Sequence, residues 1–400
     1  MAAARIQAAA DKGLYSNMRN PDFRWDPYFL AKGSEFEAFW EEHFRREHRN
    51  ILYVLGRGFD PRMCIGLGII MRLGGEGKRD CLIVKFDEGP DSPSTRYKTM
   101  VDRNLQRVES LVDGRVERYE KLVPMWSGVG PGRHRIGSRS AAQVFSTISD
   151  LRSYDDVIID VSAIPRDIYL PLIGKAIYLI DKATSRGINS LPNLHVVVCE
   201  NVSLDQKIND SGIDDRADYV HGFGASIELE AMVGVPKVWV PILGERQDVQ
   251  LERIYTLVSP DEICPVLPSP SVNPRRGDEL LIHYLELLDR WRVEPRNMIY
   301  ASEQNPFEAY RQIGTAAYHY NVALRSLGGC KIVLSALSSK LLSIAALLVA
   351  YELKSKDLNI GIAHVEPQGY ELGFTELEEP DKLMAGHEMF SLWLSGEPYD

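Results

Sequence analysis

Cysteine is scarce and scattered, with five residues in 400 (Cys64, Cys81, Cys199, Cys264, Cys330) and no CxxC pair. That spacing supplies neither a zinc signature nor a disulfide framework, and it fits a reducing compartment. Long apolar runs are also missing. The most apolar segment, Leu341 to Tyr351, is far short of a bilayer span. The opening MAAARIQAAADKG has no apolar stretch of signal-peptide length. A soluble, cytoplasmic protein without a membrane partner is the expectation. There is no basic excess: 46 Lys and Arg face 56 Asp and Glu, a net charge of -10. This argues against a general nucleic-acid surface. The Walker GxxxxGK[ST] loop, the HExxH zinc motif and any fixed Ser-His-Asp order are absent, as are repeats of solenoid period.

What is present is a rhythm of short apolar runs, each ending in a polar turn and followed by a helical pattern. Asn50–Leu55, Cys81–Phe86, Val157–Ile159 and Leu194–Cys199 alternate with such helices. Val116–Trp126 reads as a less regular strand, Ser127–Ser140 as a mobile loop, and AAQVFSTISDL as a helix. After a polar stretch the rhythm resumes with KVWVPI, EICPVL, NMIYAS, KIVLSA and NIGIAHV. Strands alternating with helices predict an α/β fold, with mostly parallel sheets and flanking helices. Four hundred residues exceed what one core usually serves. The division expected is a helical arm over 1–48, a Rossmann-like lobe over 49–202, an insertion or boundary over 203–235, a second lobe over 236–375 and an acidic tail over 376–400. In the arm, Phe36, Phe39, Trp40 and Phe44 recur at helical spacing. They form either a face packed on the chain's own body or a docking surface for a protein partner.

Ligands of open α/β sheets bind beyond the carboxyl ends of the strands, so the strand-end turns hold the candidate residues. The first, Gly56-Arg57-Gly58-Phe59-Asp60-Pro61-Arg62, lacks the third glycine of a dinucleotide fingerprint. Its glycines and arginines suit a phosphate instead, and an Arg-Asp pair tying down the turn is the plainer alternative. Asp160 and Ser162 end the strand at Val157, ahead of Arg166. Here an aspartate suits Mg²⁺ or a ribose hydroxyl, or simply caps the helix. Arg275 and Arg276 sit in a turn-rich loop, Asn305 precedes Pro306, and Ser338-Ser339-Lys340 follow KIVLSA. Each is a ligand contact or an ordinary loop or cap residue. His364 ends the last strand, as a base or a structural histidine.

Arginine or lysine in four of these turns suits a polyanion. Three readings follow. The first is a sensor or regulatory subunit binding a nucleotide or other phosphorylated ligand between two lobes. The second is an enzyme, such as a hydrolase, with Asp60 and Asp160 as catalytic groups and Mg²⁺ on Asp160. The third is an interaction subunit docking through its N-terminal arm.

Overall fold

In a computed structural model, the described residues are 22–399 without 88, 90–91, 113–116, 129–132, 225–226, 228–233 and 374–379. Two seven-stranded sheets carry the fold. The first takes β1 (Phe29–Lys32), β2 (Ile51–Gly56), β3 (Arg79–Asp87), β4 (Glu117–Pro124), β5 (Asp156–Asp160) and β6 (Asn193–Glu200). The second takes β7 (Asp218–Tyr219), β8 (Lys237–Ile242), β9 (Glu262–Ile263), β10 (Val266–Pro268), β11 (Ile299–Ala301), β12 (Lys331–Ala336) and β13 (Asn359–His364). The chain then returns to the first sheet with β14 (Glu388–Ser395).

Spatial order is β1-β14-β6-β5-β2-β3-β4 in the first sheet and β7-β13-β12-β8-β10-β11 in the second, where β9 pairs with β8. Strands β2 to β6 are parallel, as are β8, β10, β11, β12 and β13. Counted within each lobe, both parallel sets run 3-2-1-4-5, and an antiparallel strand lies beyond the fifth. The second half thus repeats the architecture of the first. The central strands are buried at every position, as expected of parallel strands covered on both faces.

The helices are α1 (Ser34–Arg46), α2 (Ile65–Leu73), α3 (Lys98–Val112), α4 (Arg166–Thr184), α5 (Asp248–Val258), α6 (Arg276–His283), α7 (Pro306–Ala323) and α8 (Lys340–Ser355), besides shorter ones. Helices α4 and α8 follow the fourth parallel strand of their respective lobes. A single core joins the lobes there. It holds Val54, Ile159 and Val196 of the first sheet, Val240, Leu334 and Ile362 of the second, Ile173 of α4 and Leu347 of α8.

Of the two readings of the arm, α1 takes the one packed on the chain's own body: Phe36, Trp40 and Phe44 fill a core on the outer face of the first sheet with Tyr53 and Ile83. Residues 1–21 of that arm lie outside the described residues. Other local expectations need correction. The last segment is acidic in composition, yet its Glu388–Ser395 strand is almost wholly buried. It fills the place beside β6 that would otherwise be an open edge. The AAQVFSTISDL segment is not an α-helix: a short helix at Gly137–Ala141 ends on its first residue, and turns with a single 3-10 turn at Ile148–Asp150 follow. Of the glycine- and arginine-rich loop, Trp126–Ser127 pairs with His134–Arg135. Arg135 is anchored by the Pro367 carbonyl at 2.8 Å and by Asp214. Among the described residues, no helix is long and apolar enough to cross a membrane.

Candidate functional site

Both sheets present the carboxyl ends of their strands to one cavity of about 1370 Å³. In each lobe the chain reverses its order between the first and fourth parallel strands, and the turns after those strands meet. At Gly56, an added Cβ would lie 2.7 Å from Ile164 Cγ1 and 3.1 Å from the Ala163 carbonyl oxygen. At Gly244, the equivalent turn of the second lobe, it would press onto the Leu337 carbonyl oxygen. Close backbone approach therefore demands glycine at both positions. The strands are tied alike as well. The Tyr53 hydroxyl of β2 donates to Asp160 Oδ2 on β5 at 2.6 Å, and Trp239 Nε1 of β8 donates to Ser335 Oγ on β12 at 2.8 Å.

Ten of the residues expected at the site line this cavity: Arg57, Gly58, Asp60, Arg62, Ser162, Arg166, Arg276, Ser338, Ser339 and Lys340. Gly56 is buried in the wall behind it. Arg275 is exposed at the start of α6 and Asn305 caps α7, its side chain accepting from the amides of Phe307 and Glu308. Neither lines the cavity. Arg275 and Arg276 are neighbours in sequence, but only Arg276 turns inward, to ion pairs with Glu245 at 2.7 Å and with Glu303.

Asp160 is 1% exposed, and both of its oxygens are engaged. Oδ2 accepts from Tyr53, while Oδ1 accepts from the Ser162 amide at 2.9 Å and the Ser162 hydroxyl at 2.5 Å. Burial pushes its pKa up to about 6 against these hydrogen bonds. Asp60 receives the Arg62 guanidinium in a fork, with Nε and Nη2 at 2.9 and 2.7 Å from Oδ2. Arg62 also reaches Asp205 at 2.7 Å. These two aspartates do not fit a magnesium ion, because their oxygens are already taken by protein donors. Among the described residues, the one compact set of metal-type ligands is His43, Asp156 and His195. Asp156 opens β5, the end opposite Asp160. Its carboxylate accepts from Asn193 at 3.1 Å and lies 3.5 Å from Arg49, beside the two histidines. A cationic neighbour and a full set of donors make this a structural anchor.

The start of α8 is different. Ser339 caps the helix, accepting from the Leu342 amide at 3.3 Å. The Ser338 carbonyl accepts from Arg166 Nη2 at 2.8 Å, which links the first turns of α4 and α8 across the lobes. The Ser338 hydroxyl is buried with no hydrogen-bond partner among the described residues. Lys340, at the first helical position, has no hydrogen bond or ion pair among the described residues. Burial and then the positive charge of Arg62 lower its pKa, against the pull of Asp205, Asp60 and Glu200. On the facing wall, Lys85 and Lys98 are exposed. Arg57 comes no nearer than 3.9 Å to Asp102 and Glu120.

On the neighbouring strand, His364 ends β13 and Glu366 follows it, both lining the cavity. Their Nε2 and Oε1 atoms approach to 2.5 Å, yet neither makes a hydrogen bond of acceptable geometry. His364 Nδ1 also lacks a hydrogen-bond partner among the described residues. Burial, then the Arg166 charge, depresses the His364 pKa to about 3, and burial raises that of Glu366 to about 8. Burial thus works against the charged form of both side chains. Glu366 belongs to the His364 turn, while Glu200, Lys85 and Lys98 line the cavity without having been expected there. For Glu366 and Glu200 the available signal was the same strand-end position that marked the other turns. No protein-family model and no curated protein matches the chain.

Proposed function

We propose that the protein binds a phosphorylated small molecule in the cleft between its lobes, as a sensor or regulatory subunit. The observation that carries this reading is Lys340. The N-terminus of a helix disfavours a cation, and partial burial adds to that cost. The chain has more acids than bases, so a partner for every base was available. A lysine kept there without one is poised for an anion from outside. Ser338 adds an unused hydroxyl beside it, and Arg57, Lys85 and Lys98 add positive charge across the cleft.

The test is a thermal-shift series with inorganic pyrophosphate, inorganic tripolyphosphate and nucleoside phosphates. A ligand that binds only the folded state raises the melting temperature. Lys340→Met should leave the ligand-free melting temperature unchanged or higher and weaken binding by about 1.5–3 kcal/mol, the scale of a charge-assisted hydrogen bond. No shift from any phosphate compound, or full affinity in Lys340→Met, would overturn the reading. Affinity should also fall as salt rises, since exposed Lys85 and Lys98 are screened.

A further inference from the structure

We infer that Arg166, Tyr169 and Glu200 complete the site around Lys340 and select a phosphoryl group that carries a P–OH, so that the ligand class is a phosphate monoester and not a phosphodiester or a sulfate. This rests on the phosphate reading above and names its class. Buried polar atoms without partners are rare in folded proteins, and each calls for an explanation. Four of them belong to side chains that line the cavity around the first turns of α4 and α8. They are Arg166 Nε, the Tyr169 and Ser338 hydroxyls and Glu200 Oε1, none with a hydrogen-bond partner among the described residues.

Both lobes build this corner. Arg166 and Lys340 hold the same place in each, the first position of the helix after the fourth parallel strand. Each cation opposes its helix dipole, and neither has an ion pair among the described residues. The Arg166 guanidinium is fixed by its 2.8 Å bond to the Ser338 carbonyl, which leaves Nε for a ligand. Of the acids beside it, Glu366 turns Oε1 to His364 Nε2 at 2.5 Å, and Asp210 accepts from Gln250. Tyr169 is 1% exposed and lies three residues after Arg166, on one face of α4. Arg166 and Ser343 flank its hydroxyl, but neither meets it in hydrogen-bonding geometry.

Arg166, Tyr169, Ser338 and Lys340 all offer donors, as an oxyanion requires. Glu200, which ends β6 and acts on Lys340, is the exception. The other acids that act on Lys340, Asp60 and Asp205, are both engaged by Arg62. An ionised carboxylate only accepts, so among anion-binding donors it repels an oxyanion unless that oxyanion brings a proton. A phosphate monoester does so, because its second pKa is about 6. Phosphodiesters and sulfate are fully ionised at neutral pH and carry none. A site built to receive a hydroxyl rejects an analogue that leaves its buried polar group unpaired.

The experiment titrates the full chain with inorganic phosphate, sulfate and dimethyl phosphate at neutral pH, read by calorimetry and by melting temperature. Phosphate should bind about ten-fold or more tighter than either of the others, the scale of one hydrogen bond to a charged group. Tyr169→Phe should weaken phosphate binding about five-fold or more and leave the ligand-free melting temperature unchanged or higher, since the hydroxyl it removes has no partner to lose. Glu200→Gln, which puts a donor beside the anion, should shrink the preference for phosphate over sulfate about five-fold or more. Arg166→Met should weaken all three anions, and circular dichroism identifies any variant that fails to fold. The wild-type comparison stands without the variants. Sulfate or dimethyl phosphate binding as tightly as phosphate, a preference that survives Glu200→Gln, or full affinity in Tyr169→Phe would overturn this inference alone. So would binding of other phosphate compounds without inorganic phosphate. Binding of no phosphate compound would overturn the phosphate reading and this inference with it.

Discussion

Arg62 and Lys340 are both cations on one cavity, and their surroundings give them different work. Arg62 is 2% exposed and forked onto Asp60, so it holds the turn after β2 in shape. Lys340 has no such anchor and is the residue left for a ligand. His364 and Glu366 allow a sharper statement, because their shifts have opposite signs. The Glu366 pKa, about 8, stands above its unfolded value of about 4.3. Its contribution to stability is full below about 4.3 and is lost as pH rises to about 8. The His364 pKa, about 3, is depressed from about 6.5. Its contribution is full above about 6.5 and is lost as pH falls toward 3. The two slopes cancel between about 4.3 and 6.5, which leaves a plateau with losses on either side. Urea midpoints of the wild type and of the His364→Asn, Glu366→Gln double variant, measured from acid to alkaline pH, should differ in shape accordingly. Parallel curves would refute the assignment.

At the scale of elements, the two lobes solve one geometric problem twice. The turn after the first parallel strand must pass close to the turn after the fourth, and glycine stands at both crossings. Gly56→Ala and Gly244→Ala should each destabilise the fold by about 1–3 kcal/mol, the cost of overpacking a tight contact. Denaturant midpoints check this, and a neutral result at both sites would mean the turns can separate. The candidate turns themselves were legible in the sequence, because apolar runs end where polar residues begin. Which way each turn residue faces was not. Ser339 and Asn305 satisfy helix amides, and Asp160 is claimed by Tyr53 from a neighbouring strand. That tyrosine is more than a hundred residues away along the chain, beyond the reach of any local pattern.

For the molecule as a whole, one core runs through both lobes between α4 and α8, and β14 crosses back to complete the first sheet. Unfolding in urea should therefore be a single transition, coincident by tryptophan fluorescence and far-ultraviolet circular dichroism. Trp40 and Trp393 report on the first lobe, and Trp239 and Trp291 on the second. Two separated transitions would show that the lobes fold independently. By itself the sequence determined the α/β class, the strand–turn–helix rhythm in both halves and the turns where charge collects. These follow from short-range periodicity, which every segment carries within itself. Tertiary structure alone decided the 3-2-1-4-5 order in each lobe and the burial of a C-terminal strand from an acidic segment. It also decided which basic side chains keep a partner and which face an open cleft, because pairing and burial depend on segments far apart in the chain.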